Sequence, residues 1–332
     1  MPLKEILKME NKEKSSWASQ KEISRTPLPI KFTIFLVKIF PHWFLASWTF
    51  VVAFFFYVFS KRARAYAREY QKRLCVFSKN CRIKKPHPYF QILSFALGLV
   101  EKIEGWLGKT KLSDVIFFDD DSDELKAQLA RGKGAYLIGS HLGNTEFIRS
   151  LASFGETGVN KQIGVTAIMD VNVNANFTKS MQQMNGNFSF DVVNASEIGT
   201  GTIEVLESRL SGGGIVFITG DRIPAAESGR TINQDFLGKT ARFPYGVFFI
   251  PSLFDVPVYY VFSARSKDIT ISNKYNMHVI KSSVSFSGSR AERKAAIASL
   301  CAEFAGLLES MCEKYPYQWY NFFDFWQDGG KK

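Results

Sequence analysis

Hydrophobic and polar positions repeat with two different periods along this chain, which predicts an α/β protein. Short apolar runs of strand length occur at 134–141, 162–169, 214–222, 256–264 and 277–283. Segments with apolar residues three and four positions apart, the spacing of a helix, occur at 86–110, 122–134, 146–155, 173–186, 201–214 and 289–316. Strands that alternate with helices favour a sheet of substantial parallel character. The expected fold is therefore a layered mixed sheet flanked by helices.

The most apolar part of the chain is IFPHWFLASWTFVVAFFFYVF, residues 39–59, which contains no Asp, Glu, Lys or Arg. About 20 such residues suffice to cross the hydrocarbon core of a bilayer. Trp43, Trp48 and Tyr57 suit the interfacial region of a membrane. We expect an N-terminal hydrophobic membrane helix that either spans the bilayer or lies in its plane. The alternative is a buried helix in the core of a protein that stays in solution.

The net charge of +11 is concentrated next to this apolar run. Residues 61–85 carry 10 Lys or Arg and one acidic residue, whereas residues 86–332 are close to neutral. Cations beside a membrane helix favour the cytoplasmic side and anionic headgroups. The chain is thus divided into a polar segment (1–30), a membrane anchor with its basic juxtamembrane region (31–85) and a domain that contains the predicted sheet (86–328). A charge so localised argues against a nucleic-acid partner.

Metal and disulfide chemistry are not expected. The four cysteines, Cys75, Cys81, Cys301 and Cys312, form no CxxC pair and no ligand spacing with histidine. They are interpreted as reduced, packed thiols. The sequence therefore predicts no metal site and no cofactor.

Two apolar strands end in polar clusters, SHLGNTE at 140–146 and TGDR at 219–222. Sites in such sheets lie at the carboxyl ends of strands. In the first cluster, Glu146 follows His141 by five positions and would fall in the first turn of the next helix. A carboxylate on one imidazole nitrogen would leave the other free to take a proton from a hydroxyl. The alternative is a turn histidine bonded to backbone and a glutamate favoured by the helix dipole.

Four blocks in order resemble glycerolipid acyltransferases, most of all the branch of the lipid A late acyltransferases. HLGNTE (141–146) is similar to the HxxxxD/E signature of that superfamily. The other blocks are TGDRIP (219–224), FLGKTARFPYGVFFIPSLFDVPVYYVF (236–262) and YPYQWYNFFDFW (315–326). The likeness covers roughly residues 35–326. Thr145 stands where the branch commonly has tryptophan, and Tyr245 replaces the acid of the phospholipid-making relatives.

The resemblance implies transfer of a fatty acyl group from an acyl thioester to a hydroxyl of a lipid or glycolipid. His141 would be the general base and Glu146 its orienter. The donor would be acyl carrier protein or acyl-CoA, and the site would face the cytoplasm at the inner membrane. For substrate binding it implies Asn144, Arg222, Lys239 and Arg242. Each has a simpler interpretation: turn chemistry for Asn144, an ion pair for Arg222, and solvated charges for the last two.

Two further points stay open in the sequence. A non-catalytic, membrane-bound lipid-binding protein with the same fold is the alternative function. The aromatic segment QWYNFFDFW, residues 318–326, is interpreted first as a cap packed on the core, and second as a wall of an acyl tunnel.

Overall fold

A computed structural model describes residues 28–79, 81–118, 121–144, 147, 158–170, 190–224, 229–272 and 274–326. The predicted helices at 146–155 and 173–186 lie outside these residues, apart from Phe147. The described helices are α1 (Leu28–Ile39), α2 (His42–Phe59), α3 (Lys61–Phe77), α4 (Pro88–Trp106), α5 (Asp121–Ala130), α6 (Thr200–Ser211), α7 (Tyr245–Phe249) and α8 (Arg290–Lys314).

Seven of the nine described strands form one mixed sheet, as the sequence predicted. The strands are β1 (Val115–Phe117), β2 (Ala135–Gly139), β3 (Val165–Met169), β4 (Phe190–Asn194), β5 (Ile215–Thr219), β6 (Thr231–Phe236), β7 (Lys239–Pro244), β8 (Val258–Arg265) and β9 (Tyr275–Lys281). The order in the large sheet is β1-β9-β8-β2-β5-β3-β4. Every pairing in it is parallel except that of β8 with β9.

Both faces of the sheet are buried, which explains why its central strands are apolar without alternation. In β2, Tyr136 and Ile138 pack into a large core beneath α8, and Ala135 and Leu137 pack into a second core with α5. Phe147, the one described residue of the predicted helices at 146–155 and 173–186, belongs to this second core. The sheet thus holds β2 and β5 at the centre of the molecule.

Strands β6 and β7 form an antiparallel hairpin, a two-stranded sheet separate from the main sheet. Its turn residues Leu237 (φ 49°) and Gly238 (φ 74°) both have positive φ, the backbone of a tight hairpin turn. Neither this hairpin nor the edge strands β1 and β4 were predicted from the sequence. These strands are short or lack strict alternation, so periodicity gives little sign of them.

The predicted apolar helix exists as α2, which begins after Pro41, and it is followed directly by α3 over the basic cluster. Two described helices, α2 and α8, are long and apolar enough to cross a membrane by length and composition alone. The interior side of α8 (Leu300, Phe304, Leu308) belongs to the large core. Of α2, only 22% is buried. The apolar exterior of this protein is therefore concentrated on its N-terminal helices.

Candidate functional site

The two polar clusters predicted from the sequence meet where the parallel strands β2 and β5 end. Strands β2 and β5 pair in parallel with Gly139 opposite Thr219, so the residues two positions further on, His141 and Asp221, are neighbours. The imidazole Nδ1 of His141 lies 2.8 Å from Oδ1 of Asp221. The sequence identified both strand ends, but it did not predict this pairing.

Asp221 is almost fully buried and is the centre of a small hydrogen-bond network. Its Oδ2 accepts the backbone N–H of His141 at 2.8 Å and the indole N–H of Trp319 at 3.0 Å. Burial by itself would raise the pKa of this carboxyl, but the His141 imidazole, the positive charge of Arg222 and the backbone N–H of His141 outweigh burial, so the pKa is lowered. Asp221 is therefore an ionised carboxylate that only accepts hydrogen bonds.

The protonation state of His141 follows from the ionised state of Asp221. Because Asp221 is ionised, Nδ1 carries the proton and donates it, which leaves Nε2 with a lone pair. Burial and the positive charge of Arg222 lower the pKa of His141, and Asp221 opposes them without reversing the direction. The imidazole side chain retains 26% of its exposed surface. A neutral, oriented and accessible imidazole is suited to accept a proton near pH 7.

The C-terminal segment holds the loop that carries His141. Gly143 N–H donates to the carbonyl of Gln318 at 2.8 Å, and Tyr320 N–H donates to the carbonyl of His141 at 2.9 Å. Trp319 is 1% exposed and packs edge-on against Phe236 of the hairpin. The predicted core-packing role of the aromatic segment is thus confirmed, and Trp319 also contacts the site itself.

Gly143 allows the loop to approach strand β8 closely. Its φ is +68°, and a Cβ atom there would lie 1.9 Å from the carbonyl oxygen of Ser263. Next to it, Asn144 is buried, its N–H donates to the same carbonyl at 2.8 Å, and its own carbonyl accepts the N–H of Phe147. The backbone hydrogen bonds of Asn144 thus fit the simpler interpretation of this residue, turn chemistry.

Arg222 lies beside the pair, at the end of β5. Its guanidinium donates to the carbonyl of Tyr320 at 3.2 Å. Burial lowers its pKa to about 10, which Asp221 partly counteracts, so the group stays charged near neutral pH. A half-buried cation next to a proton acceptor can bind a phosphate or a developing negative charge.

The remaining predicted site residues are placed differently. Glu146 lies outside the described residues, and the carboxylate that the structure brings to Nδ1 of His141 is Asp221. Lys239 and Arg242 lie on β7 of the hairpin, and not at the carboxyl ends of β2 and β5. The Nζ of Lys239 is 3.5 Å from the Trp326 carbonyl, and Nε of Arg242 donates to Thr231 Oγ1 at 3.2 Å.

The cysteines do not take part in the site. Burial raises the pKa of the Cys301 and Cys312 thiols, which keeps them protonated and poorly nucleophilic. All four cysteines are free. Within the described ranges, no three His, Cys, Asp or Glu side chains lie together as metal ligands would.

A scan against protein-family models and a search of curated proteins both find no match for this chain. The fold and site define an α/β protein in which a buried carboxylate binds a histidine at the carboxyl ends of two central parallel strands. Its function must be argued from that site and from the N-terminal helices.

Proposed function

We propose that the protein is a membrane-associated O-acyltransferase that moves a fatty acyl group from an acyl thioester to a hydroxyl of a lipid or glycolipid. The observation that carries this proposal is the His141–Asp221 pair, a neutral imidazole held by a buried carboxylate at the carboxyl edge of a parallel sheet. The order of the four sequence blocks supports the same class.

In the proposed reaction, Nε2 of His141 takes the proton of the acceptor hydroxyl as its oxygen attacks the thioester carbonyl. The tetrahedral intermediate then collapses, the C–S bond breaks, and the imidazolium returns the proton to the departing thiolate. Asp221 stabilises the imidazolium and keeps Nδ1 protonated. Because the acceptor hydroxyl is the nucleophile, no protein nucleophile is needed.

Arg222 fits a role in binding an anionic group close to the reacting atoms. Both proposed donors, acyl carrier protein and acyl-CoA, carry phosphate on the pantetheine arm, and many lipid acceptors carry it too. We also propose that substrate is bound by Asn144, Lys239 and Arg242. For Lys239, the surroundings offer space, since it lines a cavity of about 630 Å³ with Phe77, Gly306 and Glu309.

The proposed location is the inner membrane, with the catalytic domain on the cytoplasmic side. The exposed apolar face of α2 and the cations of α3 support attachment to an anionic membrane.

Membranes containing the wild type or His141→Ala provide the direct test. Each receives radiolabelled acyl carrier protein thioester or acyl-CoA with a total lipid extract, and labelled lipid is measured. We expect His141→Ala to lose about 10²–10⁴-fold in rate, the usual contribution of a general base. His87→Ala, an exposed histidine away from the sheet edge, is the matched control and should transfer normally.

Two carboxylate variants distinguish the partner of His141. Asp221→Asn should lower transfer by a similar order if Asp221 orients the imidazole, and Glu146→Gln tests the residue suggested by the HxxxxE pattern.

Equal labelling by wild type and His141→Ala would remove His141 from the chemistry. If no protein, the wild type included, forms labelled lipid while the purified wild type binds lipid from the extract, the non-catalytic lipid-binding alternative is favoured.

A further inference from the structure

Helix α2 is attached along its whole length to α4. At its beginning, Nδ1 of His42 lies 2.7 Å from Oε2 of Glu104. Near its end, the ring of Tyr57 contacts the ring of Tyr89 edge-on at 5.6 Å. These contacts are 15 residues apart on α2, or about 22 Å of helix. Between them, Ala46 and Ala53 pack in one cluster with two leucines of α4, Leu93 and Leu97.

Helix α4 is in turn attached to the body of the protein. Its Gln91 donates to the Trp319 carbonyl at 2.7 Å, and Ser94 Oγ lies 3.2 Å from the Tyr320 hydroxyl. Glu101 forms an ion pair at 3.0 Å with Arg265 of β8, and both side chains are 1% exposed. The helix α2, the helix α4 and the end of the sheet therefore form successive layers.

This layering is difficult to reconcile with a helix that crosses the bilayer. If α2 spanned the hydrocarbon core, α4 would lie beside it at the same depth, together with the Glu101–Arg265 ion pair and the end of β8. Charged and irregular polar structure at that depth is strongly unfavourable. If α2 lies parallel to the membrane surface, α4 and the sheet stay above the membrane.

The side of α2 that faces away from α4 is apolar along its length. Trp43, Trp48, Val52, Phe55 and Phe59 are between 52% and 78% exposed. In-plane membrane helices need one apolar face toward the acyl chains and a second face that is satisfied elsewhere. Here the second face is satisfied by α4.

Cations stand at both ends of this apolar face. Lys38 precedes α2, and the Nζ of Lys109 donates to the carbonyl of Val37 at 2.5 Å. Lys61 and Arg64 follow α2, and the guanidinium of Arg64 lies over the Tyr57 ring at 5.3 Å. Cations at both ends suit a helix whose two ends share one headgroup layer.

We propose that α2 lies in the plane of a single leaflet of an anionic bilayer and that the chain does not cross the bilayer between residues 38 and 61. The apolar face of α2 enters the acyl-chain region, and the flanking cations contact acidic headgroups. The inference rests on the membrane attachment in the proposed function. It places α4, whose Gln91 contacts Trp319 of the site, directly above the leaflet, so the lipid acceptor would come from that leaflet.

Cysteine labelling of the full-length protein in sealed membrane vesicles tests the proposal. In a Cys75→Ser background, Lys38→Cys and Lys61→Cys report the two ends of α2, and Ser287→Cys reports the body; all three positions are exposed. A membrane-impermeant maleimide is applied to vesicles of each orientation. We expect the three cysteines to be labelled from the same side, and in only one vesicle orientation.

Labelling of Lys38→Cys and Lys61→Cys from opposite sides would overturn the in-plane arrangement while leaving membrane attachment and acyl transfer intact. Recovery of wild-type protein in the detergent-free supernatant would overturn membrane attachment as well, including the case in which a second copy covers the apolar face. The thermal unfolding of each variant, measured by circular dichroism, verifies that it is folded. The acyl-transfer assay is a separate measurement, and its outcome depends neither on the labelling pattern nor on recovery in the supernatant.

Discussion

At the residue scale, the proposed chemistry depends on two charges of opposite sign that act on one imidazole. Asp221 fixes the tautomer of His141 through Nδ1, whereas Arg222 and burial favour the neutral ring. The neutral form is the one that accepts a proton. A single substitution of Arg222 therefore tests whether the neighbouring cation tunes the base.

Arg222→Gln should shift the acid limb of the pH–rate profile. In the proposed reaction, transfer requires neutral His141, so kcat/KM falls as the pH drops through the pKa of His141. In the wild type that pKa is lowered, and the limb lies below about 6.5, the usual value for histidine. Removal of the cation raises the pKa and moves the limb to higher pH. Arg209→Gln, an exposed arginine on α6 paired with Asp191, removes the same charge elsewhere and should leave the limb in place. An unmoved limb in Arg222→Gln would contradict the assignment.

At the element scale, α4 is the structural link between the N-terminal helices and the sheet. Its Glu101 binds the Arg265 guanidinium through Nη1, and the same guanidinium also donates to the carbonyl of Ser94 at 2.9 Å. Glu101 raises the pKa of Arg265 in spite of burial. This ion pair is fully desolvated, so the loss of one partner leaves the other charge without compensation.

Glu101→Gln should lower the free energy of unfolding by about 3–5 kcal/mol, the usual effect of breaking a buried pair. Glu69→Gln removes an exposed partner of Arg73 on α3 and should change it by less than about 1 kcal/mol. Chemical denaturation of both purified variants, followed by circular dichroism, measures the difference. If the two variants lost stability equally, the ion pair would not be the link that holds α4 to β8.

At the scale of the whole molecule, the surface is strongly asymmetric. Large exposed hydrophobic side chains are concentrated on α1 and α2, and the cations of α3 follow them directly. An apolar patch of this extent marks an interaction surface. In the proposed membrane-bound state, the distribution of this patch would orient the body of the protein relative to the membrane.

The double variant Val52→Asp/Phe55→Asp should move the protein from anionic vesicles to the aqueous fraction in a flotation assay. Both side chains are more than half exposed, so the fold should persist while the charged residues oppose entry into the acyl chains. Val205→Asp makes the same change on exposed α6 and should float as the wild type does. Equal flotation of all three proteins would show that α2 does not bind the membrane.

Much of the architecture was predictable from local pattern. The alternation of strands and helices, the apolar run of α2 and the polar ends of β2 and β5 all depend on residues close together in the chain. Edge strands and the β6–β7 hairpin were not predicted, because their pairing partners, and not their own periodicity, stabilise them. Helix α3 was interpreted only as a basic cluster.

The sequence by itself determined which strand ends carry polar residues and that His141 is the histidine among them. Only the tertiary structure decided that Asp221, 80 positions away, holds its imidazole, because the parallel register of β2 and β5 makes the two residues neighbours. In the same way, composition determined that α2 is apolar, and the packing of α2 on α4 decided which face is exposed. Periodicity and composition reflect interactions between residues that are close in the chain. Contacts between distant segments arise only when the chain is folded.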